Sequence, residues 1–340
     1  METTWFCLIA VMLATYVVLD GFDLGAGVAH LLVAQTDAER RLVLRSIGPV
    51  WDGNEVWLLA SGGTLYFAFP ALYASSFSGF YLPLMIVLWL LILRGISIEF
   101  RNHVESLVWH PLWDAVFAGS SGLLAIFFGA ALGNVVRGVP LDAAGDFFLP
   151  LWTDFSAGKE AGILDWYTVL VAVAALLTLT VHGALWLALK NEGALEIRAR
   201  VLASRAWWAV LGSVIAITLA SFRLQPHLKE SFAARPWIYV FPLLALSGLV
   251  GMKLMNAARR ALDAFLASCL FITGMLTSVA AGLYPYVLPS NTDAALSLTV
   301  ANSAAPRYGL EIGLMWFIPG MLLATGYFLY TYRSFSGKVN

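Results

Sequence analysis

The chain has 340 residues, of which 12% are Asp, Glu, Lys or Arg and 60% are apolar, with a mean hydropathy of +0.79 and a formal net charge of −1. Soluble domains carry about 25% charged and roughly 45–50% apolar residues, so a water-soluble core does not account for the surplus, whereas lipid does. The near-neutral balance excludes the basic footprint of a nucleic-acid binder and a long-range steering field.

The first apolar run is expected to remain in the mature protein. Met1-Glu2-Thr3-Thr4 offers no basic residue, and Asp20-Gly21-Phe22-Asp23 stands where a small-residue cleavage site would be. A bilayer core takes about 20 largely apolar residues in helix. Read from the charge-free runs, nine helices are expected at about 5–34, 48–69, 77–100, 113–137, 163–190, 206–223, 237–257, 263–284 and 310–332. Residues 56–93 carry no charge and are too long for one span. Pro70 and Pro83 bracket a Gly/Ser/aromatic stretch that reads as a turn between the second and third.

Lys and Arg in alternate loops set the orientation. Of the twenty, only Arg137, Lys159, Arg223, Lys229, Arg235 and Arg307 fall on one side, and fourteen fall on the other. This places the N-terminus outside and the C-terminus in the cytoplasm. Leu65-Tyr66-Phe67-Ala68-Phe69-Pro70 and Leu283-Tyr284-Pro285-Tyr286 echo one another. The expected fold is therefore an all-α integral membrane protein, a single polytopic domain over 1–340, built as two four-helix bundles plus one peripheral helix. Cys7 and Cys269 fall near opposite ends of their spans, beyond the ~7 Å a disulfide allows, and are expected to be free.

Ionisable groups inside spans are rare because lipid penalises them, and here they concentrate in the first three helices. Asp20 and Asp23 share a helix face at i, i+3, as do Asp52 and Glu55, with Asn54 between the latter pair. Asp20 lies roughly 22 Å along the helix from Trp5, past the midplane. The third helix adds Arg94, Glu99 and Arg101 toward the same cytoplasmic half. Carboxyls grouped in this way suit a proton relay or inlet; the other reading is a set of acid–arginine pairs that locks the helices together. Gly21 and Gly25 form a G-x-x-x-G pair that admits close helix approach.

His30 and His182 are the histidines expected within spans. A bis-His haem between the first and fifth helices competes there with two interfacial histidines satisfied by hydrogen bonds. His103, His110 and His227 fall in loops, and Cys-x-x-Cys-His, P-loop and Rossmann motifs are absent. No residue of this chain is expected to catalyse alone, bind a metal or hold a cofactor of its own.

Leu19-Asp-Gly-Phe-Asp-Leu-Gly-Ala-Gly27 resembles the end of the first helix in subunit II of cytochrome bd-type quinol oxidases. Gly48-Pro-Val-Trp-Asp-Gly-Asn-Glu-Val-Trp-Leu58, followed by Gly62-Gly63 and Phe67-Ala-Phe-Pro70, is similar to that family's most distinctive signature. Arg94-Gly95 with Glu99-Phe-Arg101 resembles its third-helix motif, and Gly133-Asn134, Arg137-Gly-Val-Pro140, Tyr284-Pro285, Pro289-Ser290 and Ser297-Leu-Thr299 follow in order. The likeness covers nearly the whole chain.

The resemblance implies a haem-free subunit of nine helices that packs through its early helices against subunit I. That partner would carry two b haems and haem d, oxidise quinol and reduce O2 to water with protons drawn from the cytoplasm. It places Asp52, with Trp51 and Asp23, on a proton path at the subunit interface. Asp20, Glu55 and Glu99 are added from the depth argument, with Asn54, Trp57, Arg94 and Arg101 as supporting or interface residues. It further implies a bacterial or archaeal cytoplasmic (inner) membrane, possible small accessory membrane subunits, contact with membrane lipid and quinone, and in some members a structural quinone. The alternative read from the buried acids and the repeat is a proton-coupled secondary transporter.

Overall fold

A computed structural model describes residues 1–339. Among them are twelve α-helices and one two-stranded antiparallel ribbon. The helices are α1 (Glu2–Val33), α2 (Asp37–Ile47), α3 (Trp51–Ala68), α4 (Pro70–Gly79), α5 (Tyr81–Phe100), α6 (Trp109–Arg137), α7 (Trp166–Lys190), α8 (Gly193–Leu224), α9 (Pro226–Ala234), α10 (Val240–Ala257), α11 (Ala261–Leu283) and α12 (Arg307–Ser334); the strands are β1 (Tyr286–Leu288) and β2 (Leu298–Thr299).

Eight helices are long and apolar enough to cross a membrane: α1, α5, α6, α7, α8, α10 with the short 3-10 turn before it, α11 and α12. The ninth expected span, α3, has 18 residues, about 27 Å of helix, but Asp52, Asn54 and Glu55 in its first turns dilute its apolarity. Its direction is fixed at both ends. Near its start, Glu55 pairs with Arg94 of α5, and at its end the Ala68 carbonyl accepts the Ala305 N–H beside the start of α12. It therefore runs the same depth as its neighbours.

The expected two-bundle arrangement is present. Helices α1, α3, α5 and α6 pack as one group and α7, α8, α10 and α11 as the other, joined chiefly where α7 lies against α1 and α6. Helix α12 is peripheral: none of its most apolar stretch is buried. Trp5 holds its outer end by donating to the Leu310 carbonyl at 3.1 Å.

The seam between the groups rests on backbone proximity. A Cβ added at Gly183 of α7 would overlap the backbone of Gly25 and Ala26 in α1, and one at Gly25 would overlap the Leu179 carbonyl. Such close passages replace the hydrophobic driving force that lipid does not supply between helices. Gly183→Ala is therefore expected to destabilise the fold by about 2–3 kcal/mol through overpacking; thermal unfolding in mild detergent measures it, and an unchanged midpoint would count against this seam.

Four expected boundaries change. Residues 37–47, read as a loop, form α2, because Thr36 and Glu39 make a capping box and Val43, Leu44 and Ile47 bury one face. The expected turn between Pro70 and Pro83 is mostly α4, because proline at a first helical position starts a helix rather than breaking one. Helix α8 begins at Gly193 instead of about 206, with Leu195, Ala199 and Ala203 buried along its cytoplasmic extension. Residues between the expected sixth and seventh helices hold α9.

The outer end is capped by the segments 138–165 and 285–306. Gly138, with φ +91°, makes the turn that lets Val139 donate to the Pro289 carbonyl and accept from Asn291. Ser75 of α4 ties in by donating to the Gly145 carbonyl.

Candidate functional site

Three helices of the first group bring their charges together at one depth. Arg94 of α5 donates through Nη1 to Asp20 Oδ1 of α1 and through Nη2 to Glu55 Oε2 of α3, both at 2.7 Å. One turn further along α1, Asp23 Oδ2 accepts from Asn54 Nδ2 at 2.7 Å. The same amide nitrogen reaches the Leu19 carbonyl, and Asn54 Oδ1 accepts from the Tyr332 hydroxyl of α12 at 2.8 Å. The i, i+3 spacing of Asp20 and Asp23 puts both on the face that meets α3 and α5.

Asp20, Asp23, Asn54 and Arg94 are fully buried, whereas the Glu55 side chain is 23% exposed. Two carboxyls thus share one guanidinium, with a third, Asp23, one turn away on the Asn54 amide. The cluster is also incompletely satisfied: Asp20 Oδ2, Asp23 Oδ1, Arg94 Nε, the Tyr16 hydroxyl and Trp57 Nε1 are buried without a hydrogen-bond partner. Buried polar atoms left this way have room in their bonding for water or a moving proton.

Of the other residues expected here, Trp51 lies against α5 at Gly95, where an added Cβ would sit 3.3 Å from its ring. Trp57 packs on Phe328 of α12. Asp52 and Glu99 are exposed, and among the described residues neither side chain makes a hydrogen bond or ion pair with the buried cluster. Arg101 belongs elsewhere.

Arg101 helps form a second polar centre nearer the cytoplasmic end. Asp114 of α6 accepts from Arg101 Nε at 2.5 Å and Nη2 at 3.1 Å, from Arg40 of α2 at 2.9 Å, and faces His30 Nε2 of α1 at 2.7 Å. Arg101 also reaches Asp37, which Arg41 holds from one turn away. Partial burial alone would raise the Asp37 carboxyl, but the hydrogen bond from Arg101 and the charges of Arg101 and Arg41 hold it below the usual carboxylate range. This centre ties α1, α2, α5 and α6 together. Asp114, Asp37 and Tyr332 were not anticipated as site residues. Asp114 carried a signal, being an acid just inside the expected fourth helix; Tyr332 carried none.

The two span histidines are both engaged. His182 uses Nδ1 toward Ser268 and Nε2 toward the Val18 carbonyl, and stacks on Phe265. His30 is committed to Asp114. With no free ring nitrogen on His182, the pair does not fit a bis-His haem, and no group of three or more His, Cys, Asp or Glu suited to a metal occurs among the described residues. Cys7 and Cys269 are free thiols.

The family model for cytochrome bd terminal oxidase subunit II matches residues 1–335. The chain belongs to that family. It is 32% identical to a probable cytochrome oxidase subunit 2 of Haemophilus influenzae, covering 99% of this chain and 94% of that protein. It is 31% identical to the cytochrome bd ubiquinol oxidase subunit 2 of Bacillus subtilis, covering 99% and 96%. Its fold matches a chain of the bd oxidase from Geobacillus thermodenitrificans with a TM-score of 0.76, at 20% identity over 98% of each chain. This family member is a multi-pass membrane subunit of a quinol oxidase, an oxidoreductase complex.

Proposed function

We propose that this chain is the haem-free half of its oxidase. It supports the haem-bearing subunit I in the inner membrane and conducts protons from the cytoplasmic side through Asp52, Glu55, Asp20 and Asp23 toward that partner. There, electrons from quinol reduce O2 to water at two b haems and haem d.

The observation that carries the reading is Glu55. Its carboxylate is paired with the buried Arg94 while remaining partly exposed on α3, three residues from the exposed Asp52. Among the described residues it is thus the one carboxyl that touches both the buried cluster and the surface. A proton taken up by Glu55 leaves Arg94 still paired with Asp20, so charge can pass without stranding the guanidinium. The face beside it is apolar and open: Val56, Leu59 and Trp89 are half or more exposed, and a Cβ added at Gly62 or Gly63 would meet nothing within 4 Å. Small residues on such a face let the backbone of a partner helix approach closely. Family membership removes the reason for the transporter alternative.

The test is Asp23→Asn, Glu55→Gln and Asp52→Ala in the assembled oxidase, reading quinol-driven oxygen consumption together with haem content. Turnover is expected to fall by about 10²-fold or more in Asp23→Asn and Glu55→Gln, the scale of a lost proton-transfer group, with haem content retained. Wild-type turnover in all three variants overturns the proposal.

A further inference from the structure

A cavity of about 280 Å³ lies at the cytoplasmic end, between the α2–α3 turn, the end of α7 and the C-terminal residues after α12. Its wall includes Arg45, Val50, Lys190, Ser336 and Tyr332. It is roofed by a strap. After α12 the chain folds back, and Lys190 Nζ donates to the Phe335 and Gly337 carbonyls. Val339 N–H returns to the Lys190 carbonyl, and Lys338 caps the Ala188 and Asn191 carbonyls. Lys190 thus holds the carbonyls of the strap, while Lys338 sits at the exposed carbonyls and negative dipole end of α7. The cavity walls are mixed polar and apolar, and it has room for several waters at about 30 Å³ each.

Tyr332 stands at the inner end of this cavity, and its hydroxyl is the first link of the chain Tyr332–Asn54–Asp23. Asn54 cannot pass a proton as it stands. Its nitrogen already donates to Asp23 and to the Leu19 carbonyl, and an amide carries no proton onward between neutral partners. It fills the space between hydroxyl and carboxylate that about one water would otherwise bridge. Asp23 Oδ1 is buried and unpartnered. The charged groups that also face Asp23 are Asp20 from its own helix, Glu55 from α3 and Arg94 from α5.

We propose that the strap cavity is a second, cytoplasmic water inlet to the carboxylate cluster, with Tyr332 at its inner end and Asn54 as the gate. When the Asn54 amide swings aside, one water takes its place. The Tyr332 O–H bond breaks toward that water, the water's proton forms the new O–H bond on the Asp23 carboxylate, and Tyr332 is reprotonated by a cavity water that recovers its proton from the cytoplasm. The net change is one proton moved from cavity to Asp23, with no tyrosinate left behind. This rests on the proton-conducting reading of Asp23 and adds the route by which it is supplied.

The experiment uses the whole oxidase in inverted membrane vesicles, so that the cytoplasmic face is outward. In a Cys7→Ser, Cys269→Ser background, Ser336→Cys on the exposed strap is labelled with a bulky charged thiol reagent. Oxygen consumption and haem spectra are followed, and the label is then removed with a reductant. Labelling is expected to slow turnover about tenfold and reduction to restore it, with unchanged haem bands. Tyr332→Phe keeps the ring and should give a similar loss. Asn54→Leu, which plugs the gap, should lose turnover to the same extent as Tyr332→Phe with haem bands unchanged; a purely structural asparagine would lose haem content as well. Full turnover in the labelled enzyme overturns the inlet. If Asp23→Asn is inactive in the same preparation, the proton-conducting role of Asp23 still stands. If Asp23→Asn is fully active, that role falls and the inlet falls with it.

Discussion

Arg94→Leu is expected to prevent the oxidase from accumulating as an assembled complex. The guanidinium is the shared partner of Asp20 and Glu55 and is fully buried with Asp20. Removing one member of a buried ion pair costs about 3–5 kcal/mol, because the remaining charge is left without compensation. That is a large part of the ~5–15 kcal/mol that keeps a domain folded. The charge, rather than the volume, is the cause, so combining Arg94→Leu with Asp20→Asn should recover part of the loss. Haem content and thermal midpoint of the complex purified in mild detergent decide it. A normal yield from the single variant would mean that the cluster contributes no stability.

Asp114→Leu is the second large effect expected. One carboxylate receives Arg101, Arg40 and His30, and its loss leaves Arg101, which is 1% exposed, with the half-exposed Asp37 as its remaining carboxylate partner. The cost again falls in the range of about 3–5 kcal/mol, but it acts locally, where α2 and the α5–α6 connection are pinned to α1. Trypsin added to inverted vesicles should therefore cut after Arg40, Arg41 or Arg101 in the variant and much more slowly in the parent. Asp114→Asn, which keeps the shape and loses the charge, should lie between them. An unchanged cleavage pattern would show that this end is held by other contacts.

What was legible in the sequence follows from which physical rule wrote it. The spans were readable because lipid forbids charge, so charge-free runs mark them with little ambiguity. That rule reads membrane depth rather than helix length, which is why α8 was expected to start near Arg205 although its helix runs on from Gly193 through charged but solvated turns. It also missed α2, whose start is written in the Thr36–Glu39 capping box. The pairing of Asp20, Glu55 and Arg94 was accessible from depth alone, because three neighbouring helices placed opposite charges at one level. Partners brought by distant chain were not. Tyr332 reaches Asn54 across 278 residues of sequence separation, and no local pattern marks it. Asp52 and Glu99 show the converse. They lie at the right depth, but the rotation of their helices turns them away from the cluster, and spacing to residues on other helices does not fix rotation.

The polarity of α3 has a consequence for how the chain is made. A segment is taken into the bilayer when its summed transfer free energy is favourable, and an acid deep in a helix opposes this by ~2.5–3.5 kcal/mol. With Asp52, Asn54 and Glu55 in its opening turns, α3 lies below the apolarity that marks its eight companions. Its insertion is therefore cooperative. The helix is stabilised in the membrane once α1 and α5 offer Asn54 and Glu55 their partners, so α3 becomes a committed span only as a member of the group it completes. A chain released between α3 and α5 would hold a helix that membrane and water accept equally poorly, and quality control would find it there first.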